Sequence, residues 1–191
     1  ALVDKQKVSI KKSRDKSQVL IDEEKISSNS LLSQILPIQV ISPDRGFVVG
    51  GSPKLKRSYL DWGVFHNNNN ETLKAYKTYK KTLKNINTLL INGKKGELDE
   101  WFTQFASLSV EITKGRVGYM EQLKTILNDQ SKGRLKNLIK INDNFTFHIQ
   151  TGWPKEVDPL SQGQILEYLL KNKLNFLKTK YLSYGPHRAN I

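Results

Sequence analysis

Apolar residues recur at every second position in short stretches near the start of the chain, and at every third or fourth position through most of its middle. K-V-S-I-K-K and Q-V-L-I-D alternate or run apolar, with the turn-like S-R-D-K-S between them, and predict a β-hairpin. Ser27–Gln34 reads as a short helix, and Ile38–Ile41 as a short buried strand that ends at Ser42-Pro43. Ser52 is a good N-cap, and Pro53 sits at the first helical position, where its missing N–H costs nothing. A helix is therefore expected from Pro53 toward Phe65, with Leu55, Tyr59, Leu60 and Phe65 on its apolar side. The run Asn67–Asn70 is expected to break it.

Two longer stripes follow. Leu73, Tyr76, Leu83, Ile86 and Leu90 mark Glu71–Leu90 as helical, and Trp101, Phe105, Leu108, Ile112, Tyr119, Leu123 and Ile126 do the same for Glu97–Asn128. The N-G-K-K-G turn at 92–96 would join them as an antiparallel helical hairpin whose aromatic residues form core. Beyond the basic stretch Lys132–Lys140 the period changes. F-T-F-H-I-Q at 145–150 reads as a strand, G-W-P at 152–154 as a turn, Gln162–Leu177 as a helix and Y-L-S-Y at 181–184 as a short strand. The fold class is α+β, with a helical lobe inserted between short β segments.

Composition narrows the function classes. With 191 residues and 37% hydrophobic content the chain suits one domain, or one domain with an appended lobe. No apolar run is long enough to cross a bilayer, and no signal peptide is visible. There are no cysteines, and His66, His148 and His187 lack ligand-like spacing, so no metal site is expected. Lys+Arg is 31 against 18 Asp+Glu, a net charge of +13, which favours a polyanionic partner, usually nucleic acid. The lysine-rich composition offers a blander reading of the same charge. The chain has no initiator Met and stops directly after Gly-Pro-His-Arg-Ala-Asn, so an internal fragment is expected.

One gapped stretch carries a resemblance. P-D-R-G-F-V-V-G-G-S-P-K-L-K-R-S-Y-L-D-W-G-V-F-H, residues 43–66, resembles the RecF family of DNA replication and repair proteins. Its core is Pro43-Asp44, Val48-Val49, Gly51-Ser52-Pro53, the basic pair at 56–57 and Tyr59-Leu60-Asp61. Y-G-P-H-R-A-N at 184–190 is similar to the segment that follows the helical lobe in that family, and the order and separation agree. The resemblance spans essentially the whole chain, although residues 92–180 match in pattern more than in motif. It implies part of an ABC-type ATPase head at 1–66, a helical lobe at 67–178 and a return strand into the head at 179–191. For the parent protein it implies ATP and magnesium and an ATP-dependent homodimer. It also implies binding to DNA at gaps between single and double strands, and work with RecR and possibly RecO in loading recombinase during SOS-type repair in the cytoplasm. It places His187 and Arg188 near the nucleotide-bearing face.

Departures from the family pattern limit what carries over. The family usually has two arginines where this chain has Lys56-Arg57, and an acid where it has Asn190. No G-x-x-x-x-G-K-[ST] occurs, and no strand ends in paired acids. No cofactor is expected on this chain itself. P-L-S-Q-G-Q at 159–164 looks like an ABC signature but precedes Gly-Pro-His-Arg, whereas the family's signature follows it. Ser161 as the N-cap and Gln164 at N3 of a lobe helix account for the same letters.

Lys54, Lys56 and Arg57 crowd the start of a helix, where the dipole already disfavours cations by roughly 0.3–1 kcal/mol each. Their compensation comes either from Asp61, four residues after Arg57, or from a phosphate or acidic group outside the helix. The second option makes these three residues the DNA-binding candidates. Two other readings stay open at this point: a stand-alone basic helical nucleic-acid-binding domain, and a protein-interaction scaffold with incidental charge. The missing phosphate loop gives the first expected outcome: the purified chain shows no magnesium-dependent ATP turnover. Turnover abolished by changing Ser161 or Gln164 would restore the signature reading of 159–164.

Overall fold

The computed structural model describes residues 2–3, 6–14, 16–26, 32–33, 36–38, 51–132 and 146–191. The expected elements at Ser27–Gln34 and Ile38–Ile41, the 43–50 part of the motif and the basic stretch Lys132–Lys140 lie wholly or largely outside them. The chain divides into two units, Ala1–Pro43 and Asp44–Ile191.

In the first unit the expected hairpin forms. Strands β2 (Gln6–Lys12) and β3 (Ser17–Ile21) pair antiparallel, with Val8 opposite Ile21 and Lys12 opposite Ser17. Val8 and Leu20 are buried while Ile10 is exposed. Two further strands, β1 (Leu2–Val3) and β4 (Glu24–Lys25), extend the sheet in the order β1-β2-β3-β4. The turn into β4 is made by Asp22 and Glu23, both at positive φ. Two such residues suit a two-residue hairpin, and the Asp22 carboxylate accepts the Lys7 backbone N–H at 2.7 Å.

The second unit is built on helices α1 (Pro53–Ile91), α2 (Leu98–Lys132), α3 (Gln162–Lys171) and α4 (Lys173–Thr179). Ser52 caps α1 as its sequence suggests: its hydroxyl accepts the Leu55 N–H at 3.4 Å, with Pro53 in the first turn. Helical backbone continues through Asn67–Asn70, where a break was expected. Yet α1 is not straight. Asp61 and Tyr76 are hydrogen-bonded although fifteen residues apart. A straight helix would separate them by about 22 Å, so the chain folds back sharply between them. The interval holds the run Asn67–Asn70, a residue type of low helix propensity.

After the bend, α1 runs antiparallel to α2. Tyr76 and Ile112 line one crevice, and farther along α1, but earlier along α2, Thr82 donates to Gln104 at 2.8 Å. Before the bend the pairing runs the other way: Asp61 meets Arg116 and Asn67 meets Gln122. Gly63 permits the approach there, because a Cβ on it would lie 2.1 Å from the Tyr119 ring. The connection at 92–97 is a turn at Gly93 (φ 67°) followed by a 3-10 turn, Lys95–Glu97.

The core gathers Ile86 and Leu90 from α1, Leu98, Phe102 and Phe105 from α2, Ile165 and Leu169 from α3, and Phe176 from α4. The α2 stripe is rotated from the one expected. Phe102 is fully buried, Trp101 only partly so, and Ile126 is 58% exposed. Towards the C-terminus, the strands expected at 145–150 and 181–184 are absent among the described residues. A single antiparallel bridge joins Gln150 to Asn190 instead. Beside it, Gly185 N–H donates to the Gly152 carbonyl at 2.9 Å. Gly152 has φ 87°, and a Cβ there would stand 2.2 Å from the Gly185 oxygen, so only glycine fits.

Phe105 stacks on Tyr79 at 5.0 Å, meets Trp153 edge-on and lies under Gly185. Phe105→Ala is expected to cost about 3–5 kcal/mol of unfolding free energy. Trp101→Ala is expected to cost clearly less, because its ring stays partly in water. Urea unfolding of the two variants checks the ranking, and an equal or reversed order contradicts this register of α2.

Candidate functional site

The two segments that carry the motif letters, the start of α1 and residues 185–191, lie against each other. Arg57 Nη1 donates to the Ala189 carbonyl at 2.7 Å, and Lys56 Nζ to the Ile191 oxygen at 3.0 Å. Backbone oxygens therefore compensate the two cations at this helix start. Asp61 does not pair with Arg57. It pairs with Arg116 of α2, whose Nε and Nη2 reach its two carboxylate oxygens at 2.8 and 3.1 Å. The third arm of the fork, Nη1, donates to the Pro186 carbonyl at 2.7 Å. Tyr76 completes the group by donating to Asp61.

Arg116 retains only 5% exposure. Burial opposes its charge, but Tyr76 and Asp61 outweigh that and hold its pKa above the ordinary arginine value. Arg57 is shifted the other way, by burial first and then by the neighbouring Arg116. Tyr76 and Tyr79 are both pushed up by burial.

His187 follows in the 3-10 turn Pro186–Arg188. Its Nε2 lies 3.1 Å from the Leu182 carbonyl, which can only accept, so Nε2 carries the proton. Nδ1 then accepts from the Tyr79 hydroxyl at 2.8 Å, and that hydroxyl accepts the His187 backbone N–H at 3.2 Å. Every polar atom of the ring is used with the imidazole neutral. Burial, with Arg188, Arg57 and Arg116 adding to it, lowers the pKa to about 4 against the opposing pull of the Leu182 carbonyl. Asn87 of α1 fixes the same strap from the other side by accepting the Leu182 N–H at 2.8 Å.

Of the sequence-derived candidates, Lys56, Arg57 and His187 are thus engaged with the 182–191 strap, while Lys54 and Arg188 are exposed. The Arg188 guanidinium lies 5.6 Å from the centre of the Tyr181 ring and lines an open groove of about 800 Å³ with Gln150, Trp153 and Tyr184. The His187 ring, Arg57 and Arg116 already hold protein partners. Among the described residues no cluster of His, Asp and Glu is arranged to hold a metal, and no helix is long and apolar enough to cross a membrane. At 159–164, Ser161 caps α3 by accepting the Gln164 N–H at 3.4 Å. Gln164 Oε1 accepts from Asp158 N–H at 2.8 Å, not from the cap residue as a full capping box would have it.

Arg116 and Tyr79 were not singled out in the sequence. A signal was present for Arg116: it falls four residues after Ile112 and four before Met120, both buried, so it occupies a core position of α2.

Comparison with known proteins gives what the chain resembles. A protein of Hahella chejuensis (strain KCTC 2396), named DNA replication and repair protein RecF, is 30% identical over 187 residues, 96% of this chain and 48% of that protein. The protein of the same name from Cronobacter sakazakii (strain ATCC BAA-894) is 31% identical over 195 residues, covering 98% and 50%. The chain is similar to RecF proteins over nearly its whole length. It spans about half the length of these relatives. No protein-family profile matches it. Two solved structures of the recombination mediator protein RecF, one described with ATP and one with ATPrS, share its fold at TM-scores of 0.70 and 0.68, each with 24% identity over 97% of this chain and 50% of theirs. The mixed helical chain with a small antiparallel sheet is therefore a RecF-type fold.

The neutral His187 has a consequence for stability. Its folded pKa of about 4 lies below the unfolded value near 6.5. The unfolded chain therefore binds the proton first, and stability rises with pH across this window. The contribution is complete above about pH 6.5, is lost as pH falls toward about 4, and amounts to something on the order of 3 kcal/mol. Urea unfolding at pH 4.5 and 7 is expected to show a larger difference in the wild-type chain than in His187→Gln. Equal differences would mean that the ring is not held neutral.

Proposed function

We propose that this chain is the lobe-bearing middle part of a RecF-type protein of DNA replication and recombinational repair. Residues 1–66 and 179–191 belong to its head and 67–178 to its helical lobe. The chain supplies DNA and protein contacts without catalysis of its own. In this reading ATP and magnesium are held by sequence outside these 191 residues, and the parent protein dimerises with ATP. It binds DNA at gaps between single and double strands and works with RecR and RecO to load recombinase. The observation that carries the reading is the junction of the two motif segments. Arg57 donates to the Ala189 carbonyl, and Asp61 holds Arg116, which donates to the Pro186 carbonyl, so the two motif segments are tied directly and through Arg116 of α2.

The geometry also sorts the candidates. In this reading Lys56, Arg57 and His187 keep the head-side strap in position, whereas Lys54 and Arg188 are free to meet a ligand. The similarity of RecF proteins across nearly the whole chain favours this over a stand-alone basic domain. Against an interaction scaffold stands the net charge of +13. The chain is expected to bind gapped duplex DNA of unrelated sequences with similar affinity, and to lose about 10³-fold or more between 50 and 200 mM salt if six or more phosphates are contacted. Fluorescence anisotropy checks this. Binding that is absent, or insensitive to salt, leaves the scaffold reading.

A further inference from the structure

The positive charge of the second unit is unevenly placed. Residues 72–91, the part of α1 beyond the bend, contain five lysines and no acid. The packed partner α2 contains four basic and five acidic residues. A lysine-rich composition would load both helices alike, so the asymmetry has a local cause. Lys74, Lys77, Lys81 and Lys84 recur at intervals of three and four and share one face, with Lys80 at its margin. All five are exposed. Ala75, Tyr79, Thr82, Ile86 and Leu89 are buried on the opposite side of the helix. Among the described residues none of the five lysines makes an ion pair. Like charges three and four residues apart disfavour the helix, and residues 72–91 keep several such pairs with no acid among them.

We propose that Lys74, Lys77, Lys81 and Lys84 form a ridge that binds the phosphate backbone of DNA, a surface separate from the start of α1. The inference rests on the DNA-binding reading above. From Lys74 to Lys84 the helix rises about 15 Å. One strand of a duplex presents a phosphate about every 3.4 Å along its axis, so the ridge spans about four of them. The chemistry selects the backbone over its rivals. Lysine is a point charge without the planar fork that reads a base edge. A membrane surface requires an apolar face beside the cations, and the apolar face of α1 is spent inside the protein. The aromatic anchors typical of a protein interface are missing from the ridge.

The test uses the full chain and a fluorescein-labelled 30-base-pair duplex, read by anisotropy from 50 to 200 mM salt. Changing Lys74, Lys77, Lys81 and Lys84 together to Gln keeps helix propensity and removes four charges. The expected result is at least a tenfold weaker affinity at 100 mM salt and a log–log salt slope shallower by about 3. A control that removes four charges elsewhere, Lys114, Lys155, Lys171 and Lys178 to Gln, is expected to change the slope by less than about 1. Equal losses in the two variants would mean that bulk charge alone acts, and would overturn the ridge. Unchanged binding in the first variant overturns the ridge while leaving the DNA reading intact. A wild-type chain that binds no DNA overturns both. Should the quadruple variant melt earlier than wild type, the pairs Lys74/Lys81 and Lys77/Lys84 are changed separately. Each pair is expected to give about half the slope change, and no change in either overturns the proposal.

Discussion

The second unit depends on how a single buried guanidinium spends its donors. Arg116 sits where the apolar stripe of α2 calls for a hydrophobic side chain, and three of its nitrogens reach two different parts of the chain. Desolvating a charge this fully costs several kcal/mol unless the geometry is good and the remaining hydrogen-bonding positions are filled. Here a two-pronged carboxylate contact and a backbone carbonyl fill them, and Tyr76 supports the carboxylate. Such an arrangement gains little net stability over a well-packed apolar core. What it adds is geometry: a planar fork with fixed angles sets where Asp61 and Pro186 stand relative to α2.

That placement makes the rest of the strap possible. With Pro186 fixed, Gly185 lies over Phe105, His187 meets Tyr79, and Ala189 comes within reach of Arg57. The basic residues at the start of α1, which would be unfavourable on an ordinary solvated helix, find carbonyl oxygens there. Polar and apolar parts reinforce each other, because Tyr79 stacks on Phe105 with its ring and holds His187 with its hydroxyl.

Local patterns in the sequence were reliable where the cause was local. The β2–β3 hairpin, the Ser52 and Ser161 caps and the turn at Gly93 follow from residue types within a few positions of one another. The fold-back of α1 was half legible: the asparagine run marks the place, but the helical backbone runs on through it, and only the Asp61–Tyr76 contact reveals the reversal. The rotation of the α2 stripe from Trp101 to Phe102 was not legible. Heptad spacing fits either ring, and the choice is made by α3 and α4 packing from the far end of the chain. The strands expected at 145–150 and 181–184 failed for a related reason. Alternation marks a strand only if a partner strand is there, and the described residues offer one bridge. In the site, Arg57 and His187 stood out through motif letters, but their partners at 189 and 79 are long-range choices that no spacing encodes.

The separation between those partners has a further consequence for how the protein is made. Arg57 and Ala189 are 132 positions apart, and Arg116 is 70 positions from Pro186. A ribosome delivers the basic helix start well before its carbonyl partners, so the clasp cannot close until residue 189 has left the exit tunnel. Until then the start of α1 is an unsatisfied, positively charged element, and Arg116 has Asp61 and Tyr76 beside it but no Pro186 carbonyl. The clasp is thus a late, non-local step of folding, and it registers that the strap has arrived.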